Sequence, residues 1–264
     1  MIKREANVSL FLLSYIKRQY HNYFKKGTYK MQFGGIQLTT TLDYPGEIAT
    51  ILFTKGCNLK CGFCHNAGIA SWQGSVYYED DIMNKLLKRK NIIDHIVITG
   101  GEPSLHGQEL IQFMRRLKNE GFKIKLDTNG TNPEFVYDVI RFRLVDYIAM
   151  DIKTILSKNE YSKVSGILID DSVIDKIKLS LNLIINTFDG GKEFRTTVVK
   201  TYHSKDILFK LADYCLPNHY FQQFVISDNI FDKTLEKYTD NELRDIVNEI
   251  ITTGGYHNIH LRGI

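Results

Sequence analysis

Three of the chain's four cysteines fall within eight residues, as Cys57-Asn58-Leu59-Lys60-Cys61-Gly62-Phe63-Cys64. Thiolates at that spacing serve one metal centre and leave it a ligand short. For an iron–sulfur cube, the shortfall is one iron with an open coordination position. Open positions do chemistry, whereas a full set of four thiolates serves structure or electron transfer. The alternative is a zinc site completed by His65 or Cys215. It is disfavoured because His65 directly follows Cys64, so its ring turns poorly onto the same ion. Structural zinc also normally takes its ligands from two paired clusters.

Polar motifs recur downstream, each at the end of an apolar run. Ile96-Val97-Ile98-Thr99 leads into Gly100-Gly101-Glu102-Pro103, where glycines allow close backbone approach and a carboxylate can meet an ammonium group. Asp127-Thr128-Asn129-Gly130 follows, with Asp127 and Asn129 on one face if the segment stays extended; an ordinary Asx turn is the plainer reading. Asp151-Ile152-Lys153 repeats the i, i+2 pattern with opposite charges, a pair that is costly to bury unless it serves a ligand or a network. Arg195 stands on the polar face of Phe194–Lys200, either to meet a ligand carboxylate or to form a surface salt bridge. His203 lies just beyond that run, and Gln222 or Gln223 could enter the same interior.

The triad with aromatic Phe63 before its last cysteine, followed by the Gly-Gly-Glu turn, resembles the radical S-adenosylmethionine (SAM) superfamily. The resemblance implies a [4Fe–4S] cluster on Cys57, Cys61 and Cys64, with the SAM amine and carboxylate on the fourth iron. It also implies SAM contacts from Phe63, Gly100, Gly101, Glu102, Asp127, Asn129, Asp151, Lys153 and Arg195. Within the superfamily, the chain resembles activating proteins of anaerobic ribonucleoside-triphosphate reductases. Phe33-Gly34-Gly35-Ile36-Gln37, Leu42-Asp43-Tyr44-Pro45-Gly46, Cys64-His65-Asn66 and Phe194–Val199 carry that likeness over residues 31–264. Pyruvate formate-lyase-activating enzymes share Pro45-Gly46 and Cys64-His65-Asn66, and Asp151-Ile152-Lys153 is similar to an Asp-Leu-Lys segment of glycyl-radical activating enzymes. What this implies is hydrogen abstraction from a glycine Cα of a partner enzyme, with reduced flavodoxin or ferredoxin as electron donor. With Cys215 the only further cysteine, a second cluster is not expected. A small-molecule enzyme such as a 7-carboxy-7-deazaguanine synthase is the rival within radical chemistry. A zinc or electron-transfer module is the rival outside it.

These motifs need a scaffold that gathers them. Strands are expected at Ala49–Thr54, Ile92–Thr99, Lys123–Asp127, Val145–Asp151, Phe194–Lys200 and Tyr220–Ile226, with a possible short one at Ile259–Arg262. Helical periodicity falls at Asp80–Lys90, Glu109–Glu120, Glu134–Phe142, Ser172–Ile184, Lys205–Cys215 and Asp240–Thr252. Alternation of this kind predicts an α/β fold, an incomplete (β/α)6 barrel with ligands at the C-terminal strand ends. The polar stretch Ser157–Asp171 reads as a mobile surface loop.

The 264 residues are 43% hydrophobic and 24% charged, as in an ordinary globular protein. The net charge of +4 is uneven: residues 1–30 hold seven Lys/Arg and one acid, and the remainder 27 against 29. Nothing in that balance calls for nucleic acid. Residues 1–30 form a basic extension with the apolar run Val8–Ile16, too short to span a bilayer. It reads as an amphipathic helix touching a membrane or partner, a cap, or an upstream extension before a natural start at Met31. Unpaired cysteines fit a reducing cytoplasm.

Overall fold

The computed structural model describes residues 30–264; apart from Lys30, the basic extension lies outside the described residues. Near-continuous apolar runs make buried parallel strands, and their order decides the architecture. In chain order the strands are β1 (Gln32–Thr40), β2 (Ala49–Thr54), β3 (Tyr77–Tyr78), β4 (His95–Gly100), β5 (Lys123–Thr128), β6 (Tyr147–Asp151), β7 (Gly191–Val198), β8 (His219–Gln223) and β9 (Ile259–Arg262). They form one sheet, ordered β3-β1-β2-β4-β5-β6-β7-β8-β9. From β2 to β9 every pairing is parallel, while β1 runs antiparallel to β2. The expected partial barrel is present, with the short strand expected at Ile259–Arg262 as its seventh parallel strand, and it gains Gln32–Thr40, an antiparallel strand between β2 and the two-residue edge strand β3. Gln32–Thr40 escaped notice because Gly34 and Gly35 interrupt its alternation at a register shift.

The helices are α1 (Ala67–Ala70), α2 (Glu79–Arg89), α3 (Gly107–Asn119), α4 (Pro133–Arg141), α5 (Lys158–Ser165), α6 (Asp171–Thr187), α7 (Lys205–Ala212) and α8 (Asp240–Thr252). Their apolar faces cover the sheet: α3 buries Leu110, Ile111, Phe113, Met114 and Leu117 at helical spacing. Local chemistry sets their ends. Asn132 caps α4 ahead of Pro133, and Thr239 and Glu242 form a capping box on α8.

Helix α5 corrects the expected loop at Ser157–Asp171. Ser157 accepts from Glu160 N–H at its start, Gly166 closes it in the left-handed region, and Tyr161 and Val164 are buried. Six polar residues out of eight masked an anchored helix. Among the described residues, no helix is long and apolar enough to cross a membrane.

One end of the barrel is plugged. Tyr44, Ala49, Ile51 and Val97 pack there with Phe53 and Tyr147, and Tyr44 meets His95 edge-on at 4.7 Å. The Leu42–Gly46 motif is therefore at the closed end, and the site must form at the other.

Candidate active site

The C-terminal ends of β2, β4, β5, β6, β7 and β8 surround a cavity of about 290 Å³ that all three triad cysteines line. The cysteine loop is gripped from several elements. Gly56 and Cys57 donate to Ile69 and Ala70 carbonyls of α1 at 2.9 and 3.0 Å. Lys60 donates to the Ser165 carbonyl ending α5 at 2.8 Å, and Gly62 accepts from Asp232 N–H at 2.9 Å. Asn58 donates to Thr131 Oγ1 at 2.8 Å and accepts from Asn129 Nδ2 at 2.9 Å, tying the loop to the end of β5.

Among the described residues, three sulfurs face this cavity. Cys215 is exposed and stands between α7 and the start of β8, at the opposite end of the strands. His65 Nε2 bonds the Val225 carbonyl at 2.7 Å. Of the two candidates for a fourth zinc ligand, Cys215 is thus remote from the triad and His65 is held by a backbone carbonyl. Among the described residues no three His, Cys, Asp or Glu side chains converge on a single ion. Three thiols around a roomy cavity fit a cluster with one iron left open. Burial pushes the Cys57 thiol up to about 12 and Cys61 up to about 11, while the Lys153 ammonium pulls all three thiols the other way. Ligation must therefore release protons, and Lys153 favours that release.

The glycine turn packs against protein on one side while lining the cavity on the other. A Cβ on Gly101 would stand 1.8 Å from the Gly56 carbonyl oxygen, and one on Gly100, at φ +116°, 2.4 Å from Thr54 N. Gly101 N–H donates to Thr54 and Glu102 N–H to Gly56, at 2.9 and 2.8 Å. Backbone therefore lies flat against the cysteine loop. Gly101→Ala is expected to cost about 1–3 kcal/mol through this overlap and to lower iron bound per chain. Urea unfolding and iron assay check both.

Glu102 is buried and lines the cavity while holding two strand ends together. It accepts from Thr128 Oγ1, Asn129 N–H and Ser104 N–H at 2.7, 2.7 and 3.1 Å. Burial raises its pKa against these hydrogen bonds. Asn129 turns off the strand beyond Asp127: its Oδ1 accepts from Thr131 N–H and Oγ1. Asn66 donates to the Gly100 carbonyl at 3.2 Å. Asn58, Asn66, Thr128 and Thr131 are site residues that the sequence reading missed; short polar side chains in turns carry no periodic signal.

Beneath the thiols lies a buried charge network. Arg195 Nε bonds Asp151 at 2.8 Å and its Nη1 reaches Asp127 at 3.2 Å. Lys153 holds Asp151 at 2.8 Å and Lys125 holds Asp127 at 2.9 Å. Arg262 then grips Glu193 with both Nη atoms, at 3.2 and 2.8 Å. Neither reading of Arg195 anticipated this: it is an interior clamp between two strand-end carboxylates. Burial works against every charge here. Burial is the largest single influence, but Arg195 and Lys125 together overcome it at Asp127, and Arg195 and Lys153 at Asp151, so both stay below the usual carboxylate range; Asp151 with the neighbouring Cys61 overcomes it at Lys153, whose ammonium is held firmly charged. Lys125, Lys153, Arg195 and Arg262 oppose three carboxylates, leaving a surplus positive charge below the thiols.

Phe63 lines the cavity, with Lys153 Nζ 5.9 Å from its ring centre. Gln222 also lines it, whereas Gln223 is buried and donates to the Tyr238 carbonyl. His203 is fully buried with both ring nitrogens on backbone groups.

The sequence profile of the radical SAM superfamily matches residues 51–190, from the strand before the triad through α6. The chain belongs to the radical SAM superfamily. This radical SAM enzyme takes a [4Fe–4S] cluster and SAM as cofactors. It is 34% identical over 227 residues to a Methanocaldococcus jannaschii protein provisionally named a glycyl-radical enzyme activating enzyme, covering 82% of this chain and 90% of that one. It is 33% identical over 132 residues to the pyruvate formate-lyase-activating enzyme of Listeria monocytogenes, covering 46% of this chain and 52% of that enzyme. Among solved structures, Streptococcus suis SuiB superposes with a TM-score of 0.63 at 18% identity, over 81% of this chain and 48% of SuiB. At that identity the likeness is one of fold.

Proposed function

We propose that this radical SAM enzyme activates a glycyl-radical enzyme by abstracting a glycine Cα hydrogen, with an anaerobic ribonucleoside-triphosphate reductase as its target. The observation that carries the reading is the likeness to the M. jannaschii protein along 90% of that protein's length. The single set of three cavity thiols supports it, since Cys215 alone remains, too few for an auxiliary cluster. The reductase as target rests on the sequence resemblance through Phe33–Gln37, Leu42–Gly46 and Phe194–Val199.

In this reading Cys57, Cys61 and Cys64 hold the cluster. Bound there, the cluster would supply the single electron that cleaves SAM reductively and so starts hydrogen abstraction. The protein's part is placement. Lys153 faces the thiols and the SAM carboxylate, while Gly100, Gly101, Glu102 and Asn129 hold the methionyl end. Asp127, Asp151 and Arg195 form the floor, and Phe63 shields the thiols from water. Flavodoxin or ferredoxin is the electron donor.

The test uses reconstituted enzyme, reduced flavodoxin, SAM and a reductase carrying Cα-deuterated glycine. The expected result is deuterium in 5′-deoxyadenosine and a glycyl radical signal by electron paramagnetic resonance, a doublet with unlabelled glycine that collapses to a narrow line with the deuterated one. SAM cleavage with no glycyl signal in any candidate reductase would sink the proposal. The L. monocytogenes likeness favours a second reading, a pyruvate formate-lyase as target; presenting both enzymes in one competition assay decides between them.

A further inference from the structure

Lys153 lies beyond the end of β6, where the sheet no longer supplies partners for its backbone. The last ladder bond is Ile152 N–H to the Arg195 carbonyl, at 2.8 Å. Buried backbone groups past that point must find side chains or lose free energy. They find three, one of them backed by a fourth. Thr196 Oγ1 donates to the Ile152 carbonyl at 2.7 Å, backed by His219 Nε2 at 3.0 Å from the same hydroxyl. Tyr161 of α5 accepts from Lys153 N–H at 3.2 Å, and His203 Nε2 bonds the Lys153 carbonyl at 2.8 Å.

All four of these side chains are fully buried. The His203 tautomer follows from its contacts: Val199 N–H donates to Nδ1 at 3.0 Å, so Nε2 carries the hydrogen it gives to Lys153. The His203 carbonyl in turn accepts from Tyr238 at 2.8 Å. One imidazole thus bridges the end of β7 to the backbone of Lys153, and neither nitrogen is left for a ligand.

We propose that His203 and Tyr161 are positioning residues that fix the Lys153 backbone and so aim its ammonium between Asp151 and the three thiols. The inference rests on the reading that Lys153 contacts SAM. A lysine side chain has four rotatable bonds and much freedom to lose. A held backbone, with Asp151 at 2.8 Å from Nζ and the Phe63 ring alongside, leaves it less to lose on binding. The gain appears as tighter SAM binding, because part of the ordering is done in advance.

A double-substitution cycle in reconstituted enzyme tests this, with SAM Kd and the spectral change of the reduced cluster on SAM addition as readouts. Tyr161→Phe removes one hydroxyl and preserves packing; His203→Leu removes both bonds, and His203→Gln restores a donor and an acceptor. The expected result is a roughly tenfold rise in SAM Kd for Tyr161→Phe and His203→Leu, and less than threefold for His203→Gln, within the range that lost preorganisation commands. On a Lys153→Gln background, Tyr161→Phe is expected to add less than about twofold, because the group it positions is gone. An equal effect on both backgrounds, or no effect in the native one, overturns the proposal. A normal SAM Kd in Lys153→Gln alone instead overturns the assignment of Lys153 to SAM.

Discussion

Replacing Arg195 by methionine is expected to lower the unfolding free energy by about 3–5 kcal/mol, the cost of breaking a buried ion pair from one side. The guanidinium touches Asp151 and Asp127 and comes within 4.0 Å of Glu193, and its side chain is 14% exposed. Methionine fills the space yet leaves two carboxylates short of a partner in a medium that screens them poorly. Lysine should not rescue it. Its single ammonium cannot span two aspartates on neighbouring strands as the planar fork does. Lys200 provides the contrast: it pairs with Glu242 at 2.9 Å at the surface, where both side chains are well exposed. Lys200→Met should therefore leave stability almost unchanged. Urea unfolding of the metal-free protein measures both. A loss below 1 kcal/mol for Arg195→Met would mean that the network relaxes or admits water.

The second large effect is acid destabilisation that begins well above the carboxylate range. Burial lowers His203 to about 4 and His219 to about 3, against an unfolded value of about 6.5. Both rings are neutral in the fold and have no room for a second proton: His203 Nδ1 already accepts from Val199 N–H, and His219 Nδ1 is buried without a partner. The unfolded chain therefore binds more protons below pH 6.5. Stability is complete above that pH and declines as pH falls toward the folded values. From pH 7.5 to 5 the two rings together should remove about 3–4 kcal/mol. Asp127 and Asp151 do not contribute there, because their stabilisation is lost only as pH falls below the unfolded carboxylate range, about 4. Glu102, with its pKa raised by burial, acts in the opposite sense. Equal unfolding free energies of the metal-free protein at the two pH values would refute the assignment of two neutral imidazoles.

Much of the site was legible because catalytic motifs sit where strands end, and strands announce themselves by apolar runs. The triad, Gly100–Glu102, Asp127, Asn129, Asp151, Lys153 and Arg195 all line one cavity, as their spacing from Ala49–Thr54 onward implied. Their partners were another matter. That Arg195 clamps Asp127 and Asp151 depends on adjacency of β5, β6 and β7, which no local pattern encodes. The glycines at 100 and 101 read as places where backbone approaches a ligand, and only the fold shows how closely they also press on Gly56 and Thr54. Helix α5 was lost among polar residues because two inward side chains, Tyr161 and Val164, are too few for a periodic signal. His203 shows the same limit. The sequence places it just beyond a strand end without a role, and only the fold shows its ring buried between the Val199 and Lys153 backbone.

The grip on the cysteine loop also sets a schedule for the cell. Two of its backbone anchors, Ser165 and Asp232, lie 101 and 168 residues beyond Cys64 (165 − 64 and 232 − 64). At roughly 5–20 residues per second of synthesis, the thiols leave the ribosome some ten seconds or more before their last anchor exists. During that interval the loop lacks the closed surroundings that bury its sulfurs. Cluster delivery to a correctly shaped site must then follow completion of the chain, and a truncated product ending before Asp232 should be a poor acceptor of iron.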